Sequence, residues 1–152
     1  MENKYLSPEQ AVGIVESHDT IVVQGSTSIP NVLLRALTKR ADQLEDVKII
    51  CGFGVDKEDA PYAKKEYIKA FRSLNIFVPN NLRNAMKEGV SDTIPCFLSE
   101  VPHLFRSGQV SVDVAFINVS EPDENGYCSY GVSADIAFSG VECAKKSSGT
   151  SE

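Results

Sequence analysis

Three stretches of the chain bring together residue types that can do chemistry. In Gly25-Ser26-Thr27-Ser28-Ile29-Pro30, backbone N–H groups, three hydroxyls and a helix start at Pro30 suit an anion or a developing oxyanion. A tight strand-to-helix turn uses the same residues. In Phe97-Leu98-Ser99-Glu100-Val101-Pro102, Glu100 stands among apolar neighbours, where burial would raise its pKa and make it a candidate covalent nucleophile. His103 follows one helical turn later, so an acid/base pair can be drawn. The alternative is a helix cap from Ser99 or Glu100, with His103 structural or on the surface. In Glu121-Pro122-Asp123-Glu124-Asn125-Gly126, Asp123 could orient a substrate hydroxyl or thiol arm, or stabilise its own turn.

Other signals are weaker. Gly52-Phe53-Gly54 begins like a dinucleotide fingerprint, but Lys57 stands where the third glycine is needed. Gly-x-Ser-x-Gly, a Walker loop and a Cys/His nucleophile pair do not occur. The histidines, His18 and His103, and the cysteines, Cys51, Cys96, Cys128 and Cys143, are widely spaced. They predict buried thiols and no metal site.

The elements that must position these stretches read as α/β. Ser7-Pro8-Glu9-Gln10 is a capping box with proline at the first helical position, predicting a helix to about Ser17. Thr20–Gln24 is the short β-branched run of a strand covered on both faces. Val32, Leu33, Leu37 and Ala41 recur at helical spacing after Pro30, and Val47–Cys51 is a second strand at crossover distance. Asp56–Lys69 reads as a surface connection. A strand is predicted over Ala70–Pro79, a helix over Asn81–Glu88 closed by Gly89, a strand over Thr93–Leu98 and a helix over Glu100–Arg106. Val112–Val119 is the strongest strand, and Val132–Lys146 the last helix. The fold class expected is α/β, a predominantly parallel open sheet with helices on both faces in a single domain. Ligands of such sheets sit outside the carboxyl ends of the strands, so the loops at Gly25–Ile29, Gly52–Gly54 and Ser120–Gly126 should share one rim. Residues 1–146 form the domain in this reading, and 147–152 a disordered tail with nothing to bury.

A length of 152 residues fits one domain, and 42% hydrophobic residues can supply a core without metals or disulfides. Fifteen Lys and Arg against twenty-one Asp and Glu give a net charge of −6, a field that repels phosphates, so nucleic acid is not an expected partner. Neither a signal peptide nor a run of the ~20 apolar residues that span a bilayer is visible, which predicts a cytoplasmic chain with no membrane partner.

The order of particular words goes further. Phe97-Leu98-Ser99-Glu100-Val101-Pro102-His103-Leu104-Phe105, Val112-Asp113-Val114-Ala115 and above all Ser120-Glu121-Pro122-Asp123-Glu124-Asn125-Gly126-Tyr127-Cys128-Ser129-Tyr130-Gly131-Val132-Ser133 resemble the N-terminal domain of the acetyl-CoA hydrolase/transferase family. That group includes 4-hydroxybutyrate, butyrate and acetate CoA-transferases. The likeness runs from about Ser7 to Cys143. It departs at Gly25, where some relatives carry histidine, and at Pro79-Asn80, where they carry glycines.

The resemblance implies CoA transfer between a short-chain acyl-CoA and a carboxylic acid, with coenzyme A as substrate and no tightly bound cofactor. It further implies a second α/β domain that faces the first and supplies the glutamate nucleophile, so a catalytic residue is not expected in this chain. Glu100 and His103 are the fallback. The substrate- or CoA-binding residues expected are Gly25, Ser26, Thr27, Ser28, Gly52, Gly54, Asn81, Ser99, Glu100, Pro122, Asp123 and Gly126. The partners expected are the acyl-CoA, the acid, the second domain and a further copy of the chain. An acyl-CoA hydrolase acting through Glu100 or His103, and a non-catalytic CoA-binding or oligomer-forming fragment, are the other classes of function.

Overall fold

The computed structural model describes residues 5–54 and 60–151. Six strands form one sheet in the order β4-β3-β2-β1-β5-β6. They are β1 (Thr20–Val23), β2 (Val47–Cys51), β3 (Phe71–Asn75), β4 (Ser91–Thr93), β5 (Val114–Asn118) and β6 (Lys146–Thr150), and every pairing is parallel. The helices are α1 (Pro8–Ala11), α2 (Asn31–Thr38), α3 (Arg83–Lys87), α4 (Val101–Arg106) and α5 (Ala137–Cys143).

Alternation along the strands divides the core into two layers. Ile21, Val23, Ile49 and Phe116 pack with Leu33 and Leu37 of α2 on one face. Val22 and Ile50 pack with Val101 and Phe105 of α4 and with Ile136 on the other. The α/β expectation, with helices on both faces, therefore holds. The chain moves outward from β1 through β2, β3 and β4, then returns to the other side of β1 as β5. The sheet's switch point lies between β1 and β5.

Several boundaries differ from the sequence reading. The capping box is formed, with Ser7 N–H donating to Gln10 Oε1 at 2.9 Å and Gln10 N–H to Ser7 Oγ at 3.2 Å. The helix nevertheless gives way to a 3₁₀ turn at Val12–Ile14, short of Ser17. Strand β3 ends before Ile76, and β4 lies earlier than Thr93–Leu98 because the chain leaves the sheet ahead of Pro95. Of the Asp56–Lys69 connection, residues 56–59 lie outside those described; the remainder is irregular apart from a 3₁₀ turn at Lys65–Tyr67.

The largest correction is at the C-terminal end. Residues 147–150, expected to be a disordered tail, belong to β6, which pairs from Val114↔Lys146 to Asn118↔Thr150. An edge strand is held by the unpaired N–H and C=O groups of its neighbour, so it needs no apolar side chains. Here the outer edge of β5 offers them, as when Val119 N–H donates to Thr150 O at 2.8 Å. The last helix is correspondingly shorter than Val132–Lys146, since Gly131 (φ +68°) and Asp135 (φ +46°) hold left-handed backbone before it.

Candidate functional site

The loops that leave β1 and β2 are joined. Ser26 N–H donates to Phe53 O at 2.5 Å, and Ser26 and Gly54 form a parallel bridge beyond the strands proper. Ser26 holds φ +58°, Ser28 is buried and Thr27 is exposed. No side chain caps α2, whose first turn opens onto this loop. Asn81, buried beneath the same rim, brings Oδ1 to 3.4 Å from the position a Cβ on Gly54 would take, and this oxygen finds no hydrogen-bond partner among the described residues. Asn81 also lines a cavity of about 250 Å3 with Lys64, Asn84 and Glu88.

Two residues that the sequence reading missed tie this rim to the segment after β5. Gln24 is fully buried at the end of β1. Its Oε1 accepts from Asn118 N–H at 2.6 Å, and its Nε2 donates to Tyr130 O at 3.1 Å and Ser133 O at 2.5 Å. One amide thus closes the switch point. Asp135 lays its carboxyl over the exits of β1 and β2: a Cβ on Gly25 would overlap Asp135 Oδ2, and one on Gly52 would come within 3.1 Å of it. The residue is exposed as a whole, but its carboxyl packs against these two glycines. The lost hydration pushes its pKa up, against the Ile136 N–H that favours the ion. A buried amide directly after a β-branched run, and an Asp placed where a helix cap belongs, were the available signals.

The Ser120–Gly126 turn is exposed and built from its own groups. Ser120 N–H donates to Ser129 O at 2.8 Å. Asp123 Oδ1 accepts from Asn125 N–H and Tyr127 N–H, both at 2.9 Å, while Gly126 takes φ +83° and donates to Asp123 O. Asp123 therefore stabilises its turn; Pro122 is exposed beside it.

Of the two readings of Glu100, the structure shows the helix cap and not the burial. Glu100 is exposed, and its carboxylate accepts from Phe97 N–H at 2.9 Å, capping the 3₁₀ turn Leu98–Glu100 that leads into α4. The apolar neighbours that suggested burial, Phe97 and Leu98, themselves face solvent. Ser99 and His103 are exposed as well, and nothing places this trio against the Gly25–Gly54 cluster. The buried-thiol expectation holds for Cys51 alone: Cys96 and Cys143 are half-buried and Cys128 is exposed. Burial, and then the nearby Glu100 charge, push the Cys96 thiol up, away from the nucleophilic thiolate.

Phe53 follows β2, Phe77 β3, Phe97 β4, and Tyr127 and Val132 β5, and all are exposed; Phe97, Tyr127 and Val132 reach 77%, 75% and 89%. Because the strands are parallel, the segments that carry these side chains leave the sheet at its carboxyl end. Among the described residues, no group of three His, Cys, Asp or Glu could hold a metal ion, and no helix is long and apolar enough to cross a membrane.

Comparison with known proteins agrees with the wording of the sequence. The chain is 38% identical over 144 residues to a 4-hydroxybutyrate coenzyme A transferase of Clostridium kluyveri, covering 95% of this chain and 33% of that protein. It is 33% identical over 138 residues to a succinyl-CoA:acetate/propanoyl-CoA:succinate CoA transferase of Fasciola hepatica, covering 90% and 28%. The crystal structure of RipA from Yersinia pestis superposes with a TM-score of 0.83 at 23% identity, covering 93% of this chain and 35% of that one, a likeness of fold. The chain thus spans about a third of the length of the curated relatives it matches. Residues 1–147 match the acetyl-CoA hydrolase/transferase N-terminal domain, and the chain belongs to that family.

Proposed function

We propose that this chain is the pocket-forming N-terminal part of a cytoplasmic CoA-transferase that moves CoA between a short-chain acyl-CoA and a carboxylic acid. The observation that carries the reading is the rim itself. Its Gly25–Ser28, Gly52–Gly54, Asn81 and Ser120–Gly126 elements lie at the carboxyl ends of parallel strands, where ligands of such sheets bind. In this reading they form one wall, and the exposed aromatic side chains of the segments leaving the same end of the sheet meet a facing surface.

In this reading the wall binds and orients, and the nucleophile comes from the facing domain. The Ser26 and Thr27 hydroxyls and the uncapped start of α2 offer hydrogen bonds to an acyl oxygen or an acid. Asn81 Oδ1 offers an acceptor for an amide or hydroxyl of the CoA arm. Glu100, exposed and engaged in capping, is a poor candidate for the nucleophile.

The test is exchange of label between acetate and acetyl-CoA, a reaction that needs a covalent carboxylate. The 152-residue chain alone should show none, and adding the remaining domain of a family member should restore exchange. Exchange by the chain alone, abolished in Glu100→Ala, would place the nucleophile here and overturn the assignment. A second reading, a non-catalytic fragment that pairs with another copy through the rim, is favoured by the exposure of Phe97, Tyr127 and Val132. It predicts a dimer by sedimentation that does not take up the second domain.

A further inference from the structure

We infer that Asp135 is the positioning residue of the rim: by shape, its side chain clamps the exits of β1 and β2 and so sets the floor of the crevice into which the acyl-CoA passes. The role in ligand binding rests on the function proposed above, while the clamp rests on packing alone.

Gly25 lies two residues beyond β1 and Gly52 directly follows β2, adjacent strands that each turn into a loop there. Asp135 Oδ2 lies against both, in the space their missing side chains would fill. The side chain arrives from the opposite side of the switch point, from a left-handed backbone, which aspartate adopts more readily than most non-glycine residues. A non-glycine residue is kept in this conformation when the surroundings over-determine it, as they do here. Two restraints flank it: Gln24 Nε2 holds Ser133 O, and Ile136 is buried against Val22 and Ile50. Asp135 thus acts as a wedge between the loop after β5 and the loops after β1 and β2.

The two glycines differ in a way that makes the clamp testable. A Cβ on Gly25 would meet Phe53 O at 2.6 Å, a backbone atom that no change at Asp135 removes. The three atoms nearest a Cβ on Gly52 would all belong to side chains, Asp135 Oδ2 at 3.1 Å and Ile136 Cδ1 and Cγ1 at 3.3 Å. Gly52→Ala and Asp135→Gly should therefore be coupled. Gly52→Ala should lower the melting temperature of the wild-type chain and lower it less in the Asp135→Gly background.

CoA affinity, measured by calorimetry on the 152-residue chain, supplies the functional readout. Asp135→Asn keeps the shape and tolerates the left-handed backbone, so it should bind CoA as the wild type does. Asp135→Gly should weaken binding by about tenfold or more while the far-ultraviolet circular dichroism is unchanged. Loss of binding in Asp135→Asn equal to that in Asp135→Gly would overturn positioning by shape, and strictly additive melting shifts would overturn the clamp. If the wild-type chain binds no CoA, the functional reading fails, and the Gly52–Asp135 coupling still decides the clamp.

Discussion

Gln24 and Asn118 meet at the switch point of the sheet, where the oxygen of the fully buried Gln24 side chain accepts the Asn118 N–H at 2.6 Å. A side chain here takes over the ladder between β1 and β5 just where the backbones diverge. The same amide holds the carbonyls of Tyr130 and Ser133.

Replacing Gln24 by leucine fills the space but removes the side-chain oxygen to which the Asn118 N–H donates. The Tyr130 and Ser133 carbonyls, on half-buried residues, can turn to water, so the loss should be about 2–3 kcal/mol in urea unfolding. Amide exchange should accelerate chiefly over residues 120–133. Uniform acceleration would show that Gln24 supports the whole sheet equally.

Gly140 lets α5 lie directly on β1, since a Cβ there would stand 2.6 Å from Val22 Cγ1. Gly140→Ala should cost about 1–3 kcal/mol by overpacking. At this chain length each kcal/mol corresponds to about 2–4 °C in Tm. Val22→Ala in the same chain should recover part of the loss, which calorimetric melting of the single and double variants will measure.

Two aspartates titrate with opposite consequences. Partial burial works against ionisation of Asp113, but the Lys145 ammonium at 2.7 Å, the Thr20 N–H and Lys146 outweigh it and hold its pKa below the usual carboxylate range. Its folded pKa is lowered, so the stability it adds is present above the unfolded value near 4 and is lost as pH falls through the folded one. For Asp135 the folded pKa is raised, so ionising it costs stability, fully so above the folded pKa, and acid relieves that cost. Asp113→Asn should flatten the acid limb of a stability-pH profile, and Asp135→Asn should stabilise the chain at neutral pH more than at pH 3.

Asn81 carries a buried acceptor without a partner among the described residues, an arrangement that favours binding over stability. Asn81→Leu, close in shape, should leave the melting temperature unchanged or raise it while weakening CoA binding. A large fall in melting temperature would mean that the side chain is already satisfied in the free chain.

The parallel sheet was legible because β1, β2 and β5 are β-branched runs buried on both faces, and helix starts such as Ser7-Pro8 and Glu100-Val101-Pro102 carry their signals locally. What escaped the sequence is set by neighbours distant along the chain. Lys146–Thr150 has the composition of a tail and becomes a strand only because β5 presents a free edge. Glu100 sits among apolar residues in sequence, yet Phe97 and Leu98 point outward with it. The rim loops were found at their strand ends, whereas Gln24 and Asp135, which lock them, act through carbonyls and glycines far away in sequence.

The place of β1 in the sheet also bears on the order of assembly. Its partner on one side, β2, follows after a single helix, but on the other side Thr20 N–H reaches the carboxylate of Asp113, 93 residues away. Loops that long are slow to close. As the chain leaves the ribosome, the β1-to-β4 half can pair early, while one flank of β1 stays bare until β5 emerges. In that interval the bare flank is a template for any other extended chain, so crowded synthesis of this domain is the stage most exposed to aggregation.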